Sequence, residues 1–130
     1  MSFRKLTDLE EELGRAVVNA AYKVHKELGP GLLEKIYEVC LTHELRKAGY
    51  SVARQIAIPI VYDGVTFDEG LRLDILLENK LIVEVKAVDQ VNPVWQAQIL
   101  SHLKMMKLRL GYLINFNVPI IKPGIKRIIL

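Results

Sequence analysis

A mixed β-sheet flanked by helices, in the order α-α-β-β-β-α-β-β, is the fold that the sequence predicts. Three observations carry this reading. Two opening stretches place apolar residues at helical spacing, and the segments between Val52 and Ala87 alternate with period two. A third helical pattern then leads into the continuous apolar run Tyr112-Leu113-Ile114, the mark of a strand buried on both faces. Strand, helix and buried strand in succession imply a right-handed crossover, which sets the Tyr112 strand parallel to the one before the helix.

The first helix opens at Thr7-Asp8-Leu9-Glu10, a capping box in which Glu10 reaches back to Thr7. Leu9, Leu13, Val17, Ala20, Val24 and Leu28 follow at helical spacing as far as Gly29. Gly29-Pro30-Gly31 breaks the chain, and a second helix runs from about Leu32 to Ala48. Its apolar side holds Leu33, Ile36, Tyr37, Cys40, Leu41 and Leu45, with Glu34 at the edge. A carboxylate there complements the helix dipole, or leans over the sheet as a third acid. Glu44 falls near the middle of the stripe, which predicts a buried ion pair, with an arginine as one candidate partner. His25 and His43 have no partner at metal-ligand spacing and read as surface or boundary residues.

Val52 to Tyr62 reads as the first strand, Asp63-Gly64 as a turn, and Thr66 to Leu77 as the second strand. Asn92-Pro93 opens the third helix, with Ile99, Leu100, Leu103 and Met106 on one side. After Pro119 and the Lys122-Pro123-Gly124 turn, Ile125 to Leu130 supplies an edge strand.

Chemistry concentrates in Asp74 to Lys86. A two-residue loop at Asn79-Lys80 would send Asp74 to one sheet face and Glu84 and Lys86 to the other. A three-residue or bulged loop sets odd against odd, buries both apolar sets together and unites the three polar residues; that register is the one expected, with Asn79 at positive φ. Two carboxylates beside an ammonium suit a hard divalent cation, with Lys86 orienting or activating a water. A surface ion-pair ladder is the simpler reading of the same spacing.

At 130 residues the chain is long enough for one domain, residues 1–130, with a substantial core. The single cysteine, Cys40, excludes an internal disulfide and a cysteine-rich zinc site, and reads as a buried thiol. With no signal peptide and no bilayer-length apolar run, the cytoplasm is the expected location. A net charge of +3 permits binding to a polyanion without requiring it.

Gly31-Leu32-Leu33-Glu34-Lys35-Ile36-Tyr37 spells G-x-x-E-x-x-Y. With Val24 to Glu34, Arg72-Leu73-Asp74, Val83 to Lys86 and Leu113 to Phe116, the chain resembles the GxxExxY proteins of the PD-(D/E)xK nuclease superfamily over nearly its whole length. The resemblance implies a restriction-endonuclease-like α-β-β-β-α-β core. It also implies roles for individual residues. Asp74 and Glu84 match the metal ligands, joined by the Val85 carbonyl, and Lys86 matches the catalytic lysine. Glu34 matches a helix glutamate that holds or orients the metal, and Gln98 matches a glutamine of a Q-x-x-x-Y pattern. The tyrosine of that pattern is here His102, and Trp95 stands where related branches have a histidine. Leu73 replaces the proline of the superfamily name.

The function implied is a Mg²⁺- or Mn²⁺-dependent nuclease acting on nucleic acid, with DNA the expected substrate and a homodimer the expected assembly. Lys104, Lys107, Arg109, Lys122, Lys126 and Arg127 are candidate contacts to the nucleic-acid backbone. The rival is a non-catalytic module that keeps the fold to bind nucleic acid or a protein partner.

Overall fold

The computed structural model describes residues 5–130. Two helices, α1 (Asp8–Leu28) and α2 (Glu34–Lys47), precede three strands, β1 (Val52–Tyr62), β2 (Val65–Leu77) and β3 (Leu81–Lys86). Helix α3 (Val94–Met106) then leads to β4 (Leu110–Asn115), a short 3-10 turn (Lys122–Gly124) and β5 (Ile125–Ile129). The five strands form one sheet in the order β1-β2-β3-β4-β5, all antiparallel except β3 and β4. This is the expected α-α-β-β-β-α-β-β order, with β3 parallel to β4 through the α3 crossover. No helix among the described residues is long and apolar enough to cross a membrane.

The sheet is buried on both sides. On one side, Ile75, Leu77, Leu81, Val83 and Val85 pack with Leu13, Val17, Tyr37 and Leu41 of α1 and α2. On the other, Leu73, Leu76, Ile82 and Leu113 pack with Ile99 and Leu103 of α3. Odd residues of β3 therefore face α1 and α2, and even ones face α3. The Thr7 capping box forms in full, with both reciprocal hydrogen bonds. Gly14 lets α1 lie close on the sheet, because a Cβ there would come within 2.6 Å of the Tyr112 hydroxyl.

Several expectations need correction. Leu9 is exposed on α1, and Leu33 and Ile36 are exposed at the cap and in the first turn of α2. The buried stripe of α2 is Tyr37, Glu38, Leu41, Thr42 and Leu45, which puts Glu34 on its centre line rather than its edge. The buried acid is thus Glu38, bound by Arg54 at 2.8 Å, whereas Glu44 pairs with Lys47 at 2.9 Å and Lys23 at 3.8 Å. His25 is no surface residue: its Nε2 lies 2.7 Å from the Val118 carbonyl, tying the end of α1 to the loop after β4. Cys40 is only partly buried. On α3 the buried residues are Ile99, His102 and Leu103, while Leu100 is exposed.

Candidate active site at the fork between two strands

The register of β2 and β3 is odd against odd: Leu77 opposite Leu81, Leu76 opposite Ile82, Ile75 opposite Val83. A three-residue loop, Glu78 to Lys80, produces it, with positive φ at both Glu78 (52°) and Asn79 (53°). Glu78 tolerates that conformation because it is anchored twice to Ser51, its N–H donating to the Ser51 carbonyl and its carboxylate accepting from the Ser51 N–H.

One rung further, the strands part. Asp74 would face Glu84 there, and its Oδ2 instead accepts the Val85 N–H at 2.8 Å. On the other edge of β2, Asp74 stands opposite Gln55, where the ladder is interrupted between Arg54–Ile75 and Ile56–Leu73. Gln55 has φ 51°, a strained value within a strand. Its conformation is held from three sides. Gln55 donates to Glu38 Oε1 at 2.8 Å, Arg54 donates twice to Glu38 Oε2, and Arg72 donates to the Gln55 carbonyl. A kink in β1 and a fork beside β3 thus meet at one aspartate.

Glu84 projects from β3 towards α3. It is 9% exposed and lies near enough to Asp74 to feel its charge, and its Oε1 has no hydrogen-bond partner among the described residues. Burial, and next the charge of Asp74, push its carboxyl up to about 8. Beside it, His102 Nδ1 is also buried without a hydrogen-bond partner, 3.9 Å from Glu84 Oε1. Burial pushes this imidazole down, disfavouring its charged form, and at 3.9 Å the two groups approach closely without a hydrogen bond. Lys86 leaves β3 on the same side and rests its ammonium 4.4 Å from the centre of the Trp95 ring.

Glu34 begins α2 and reaches the same place. Its side of the helix is set by Tyr37, one turn on, whose hydroxyl donates to the Gly29 carbonyl and accepts from the Leu32 N–H. The Tyr37 ring stacks on Phe116 at 4.6 Å between centroids. Tyr37 thus clips the loop from Gly29 to Leu32, in which the motif glycine, Gly31, has φ 97°, and the motif glutamate emerges from that loop. Burial raises the Glu34 carboxyl, Lys86 lowers it and Asp74 raises it again, so Glu34 senses both. By accessible surface the residue is exposed, although neighbouring atoms shield its carboxyl.

Asp74, Glu84 and Lys86 thus share one place, and Glu34 stands at its rim. Among the described residues, no three of His, Cys, Asp and Glu converge into a ready-made metal cage. The donor set nevertheless fits a hard cation. Two carboxylates stand level on neighbouring strands, one keeps a buried oxygen without a partner among the described residues, and Mg²⁺ takes one or two carboxylates with the balance supplied by water and substrate.

Other expected residues scatter. Gln98 is exposed on α3, between the turns that carry Trp95 and His102. Lys107 and Arg109 lie with Lys80 at the far end of β3 and β4, and Arg109 is bonded to the carbonyls of Leu130 and Lys5. Lys126 is opposite Leu113, in the row of Glu84, whereas Arg127 is opposite Tyr112 and near Glu11. Lys104 and Lys122 are exposed, on the last turn of α3 and the 3-10 turn. The six cations do not form a single surface.

Sequence reasoning missed Glu38, Arg54 and Gln55, which brace the kink, and Asn115, which pins the loop after β3. Asn115 accepts from the Val88 and Asn117 N–H groups and donates to the Val88 carbonyl. The one available signal for Asn115 was a polar residue ending an apolar strand.

A five-stranded mixed sheet flanked by helices, with paired acids and a lysine where two strands diverge, has the restriction-endonuclease-like arrangement. A profile of the PD-(D/E)XK nuclease superfamily matches residues 11–128, and the chain belongs to that superfamily. Membership implies nucleic acid as substrate, and superfamily members generally use divalent metal ions. No curated protein and no solved structure matched the chain.

Proposed function

We propose that residues 1–130 form a single nuclease domain of the GxxExxY type, a cytoplasmic homodimer that hydrolyses phosphodiester bonds of DNA with Mg²⁺ or Mn²⁺. The observation that carries this reading is Asp74 level with Glu84, whose Oε1 is buried without a partner among the described residues, at a fork flanked by Lys86. Asp74, Glu84 and the Val85 carbonyl would hold the metal, with Glu34 acting directly or through water. When bound, such an ion polarises the scissile phosphate and acidifies water. Lys86, steadied against Trp95, orients the attacking water and offsets charge on the phosphate. Gln98, exposed on α3, would contact the substrate.

The test is incubation with linear, nicked and branched DNA and with RNA, in Mg²⁺, Mn²⁺ or EDTA. Metal-dependent cutting is expected, and Asp74→Asn and Lys86→Ala should each abolish it. If nothing is cut and melting is indifferent to either metal, the non-catalytic binding module stands instead.

A further inference from the structure

Beyond the fork, the β1–β2 hairpin becomes an arm. From Leu73 to Val65, β2 pairs with β1 alone, since its ladder with β3 stops at Ile75. A bulge of Asp68, Glu69 and Gly70 opposite Pro59 separates the arm from the sheet. Gly70 is required there, because a Cβ would fall 1.8 Å from the Ile58 carbonyl oxygen. At the tip, Asp63 and Gly64 both have positive φ, the two-residue turn that suits a hairpin.

Ile60 lies opposite Phe67, and Tyr62 opposite Val65, so these four apolar side chains share one face. Tyr62 is 73% exposed, Val65 52% and Phe67 43%. A lone two-stranded ribbon is marginal in water, and an apolar face of this kind needs a partner. Nucleic acid does not suit it: residues 59–71 carry Asp63, Asp68 and Glu69 and no lysine or arginine. The partner must be apolar and basic.

Such a surface exists on the same molecule. Between α1 and α2 lies a groove of about 610 Å³, with Leu28, Val39 and Cys40 as its apolar part and Lys23, Lys26 and Lys47 beside them. Two acids, Glu27 and Glu44, line it as well, and Glu44 is held by Lys23 and Lys47. The lysines outnumber the acids. We propose that the arm of each copy docks its Ile60, Tyr62, Val65 and Phe67 face into the α1–α2 groove of a second copy, reciprocally about a two-fold axis. This rests on the homodimer of the preceding section for the second copy, and on nothing in its chemistry.

The experiment is sedimentation velocity on the whole chain at micromolar concentration, with melting followed in parallel. Wild type should be a dimer. The arm double variant Tyr62→Ser, Phe67→Ser and the groove variant Val39→Lys should each weaken self-association about thirtyfold or more, as loss of an interface anchor does. Both alter exposed side chains, so each monomer should keep a cooperative melt. Mixed together, the two should form a heterodimer with one intact arm–groove contact, tighter than either variant alone. A monomeric wild type overturns both the docking and the homodimer, while leaving DNA cleavage to be judged separately. A dimer that survives the arm variant, or variants that fail to complement when mixed, overturns the docking alone.

Discussion

Glu38 on α2 and Glu84 on β3 are buried almost equally, at 4% and 9% exposure, yet their surroundings are opposite. Glu38 receives three hydrogen bonds from Arg54 and Gln55, so both its oxygens have donors and a guanidinium balances its charge. Glu84 has the charge of Asp74 beside it, an oxygen with no partner among the described residues, and a carboxyl that burial pushes up to about 8. One carboxylate completes the fold. The other is buried with an incomplete set of partners, and under the proposed function it is the carboxylate that would meet a cation.

The largest expected effect concerns Glu84 without metal. In EDTA, the unfolded carboxyl loses its proton near 4.5, whereas the folded one keeps it until about 8. Between those limits unfolding releases a proton, so stability should fall as pH rises, by up to about 1.4 kcal/mol per pH unit. His102 acts on the acid side: its lowered pKa gives stability that is full above pH 6.5 and lost as the folded imidazole protonates. Glu84→Gln should flatten the alkaline slope. Urea titrations from pH 5 to 9 would measure it, and a wild-type profile already flat above pH 7 would erase the contrast between the two acids.

Arg54→Ala tests the opposite pole. It strands Glu38 without its guanidinium, and should cost about 3–5 kcal/mol by urea denaturation. A cost under about 1 kcal/mol would mean that Glu38 is as poorly compensated as Glu84. Metal comes next: Mg²⁺ or Mn²⁺ at a hundred times its Kd should stabilise wild type by about 2.7 kcal/mol and leave Asp74→Asn unmoved. A shift that persists in Asp74→Asn would place the ion elsewhere. The smallest effect is Trp95→Leu, which removes the aromatic face beneath Lys86 and should cost about 1 kcal/mol of stability. An unchanged melting curve would show the ammonium to be steadied by something else.

Much of this was legible in the sequence because it is local. Alternation on both arms of the Asp74–Lys86 hairpin left one register that buries both apolar sets, and that register unites the acids and the lysine. The capping box and the α3 crossover are likewise written in neighbouring residues. Glu38 was not legible. The rotation of α2 is settled by partners on other elements, Phe116 for Tyr37 and Arg54 for Glu38, and a wheel drawn for the helix alone put Glu44 inward instead. His25 meets a carbonyl 93 residues away, and no spacing rule reaches that far. The strain at Gln55 was hidden because an ordinary polar residue in a strand gives no sign of positive φ.

The buried strand β3 has a consequence for the birth of the molecule. Its parallel neighbour β4 begins 24 residues after β3 ends, so a growing chain presents Leu81-Ile82-Val83-Glu84-Val85-Lys86 as a bare edge before β4 exists. Leu-Ile-Val runs of this kind recruit other chains. Glu84 and Lys86 break up the run with charges of opposite sign, in the manner of gatekeepers. Neutralising both would therefore remove the strand's protection against aggregation along with two residues that the proposed function assigns to the site, so the loss of soluble protein from such a variant would report on synthesis rather than on catalysis.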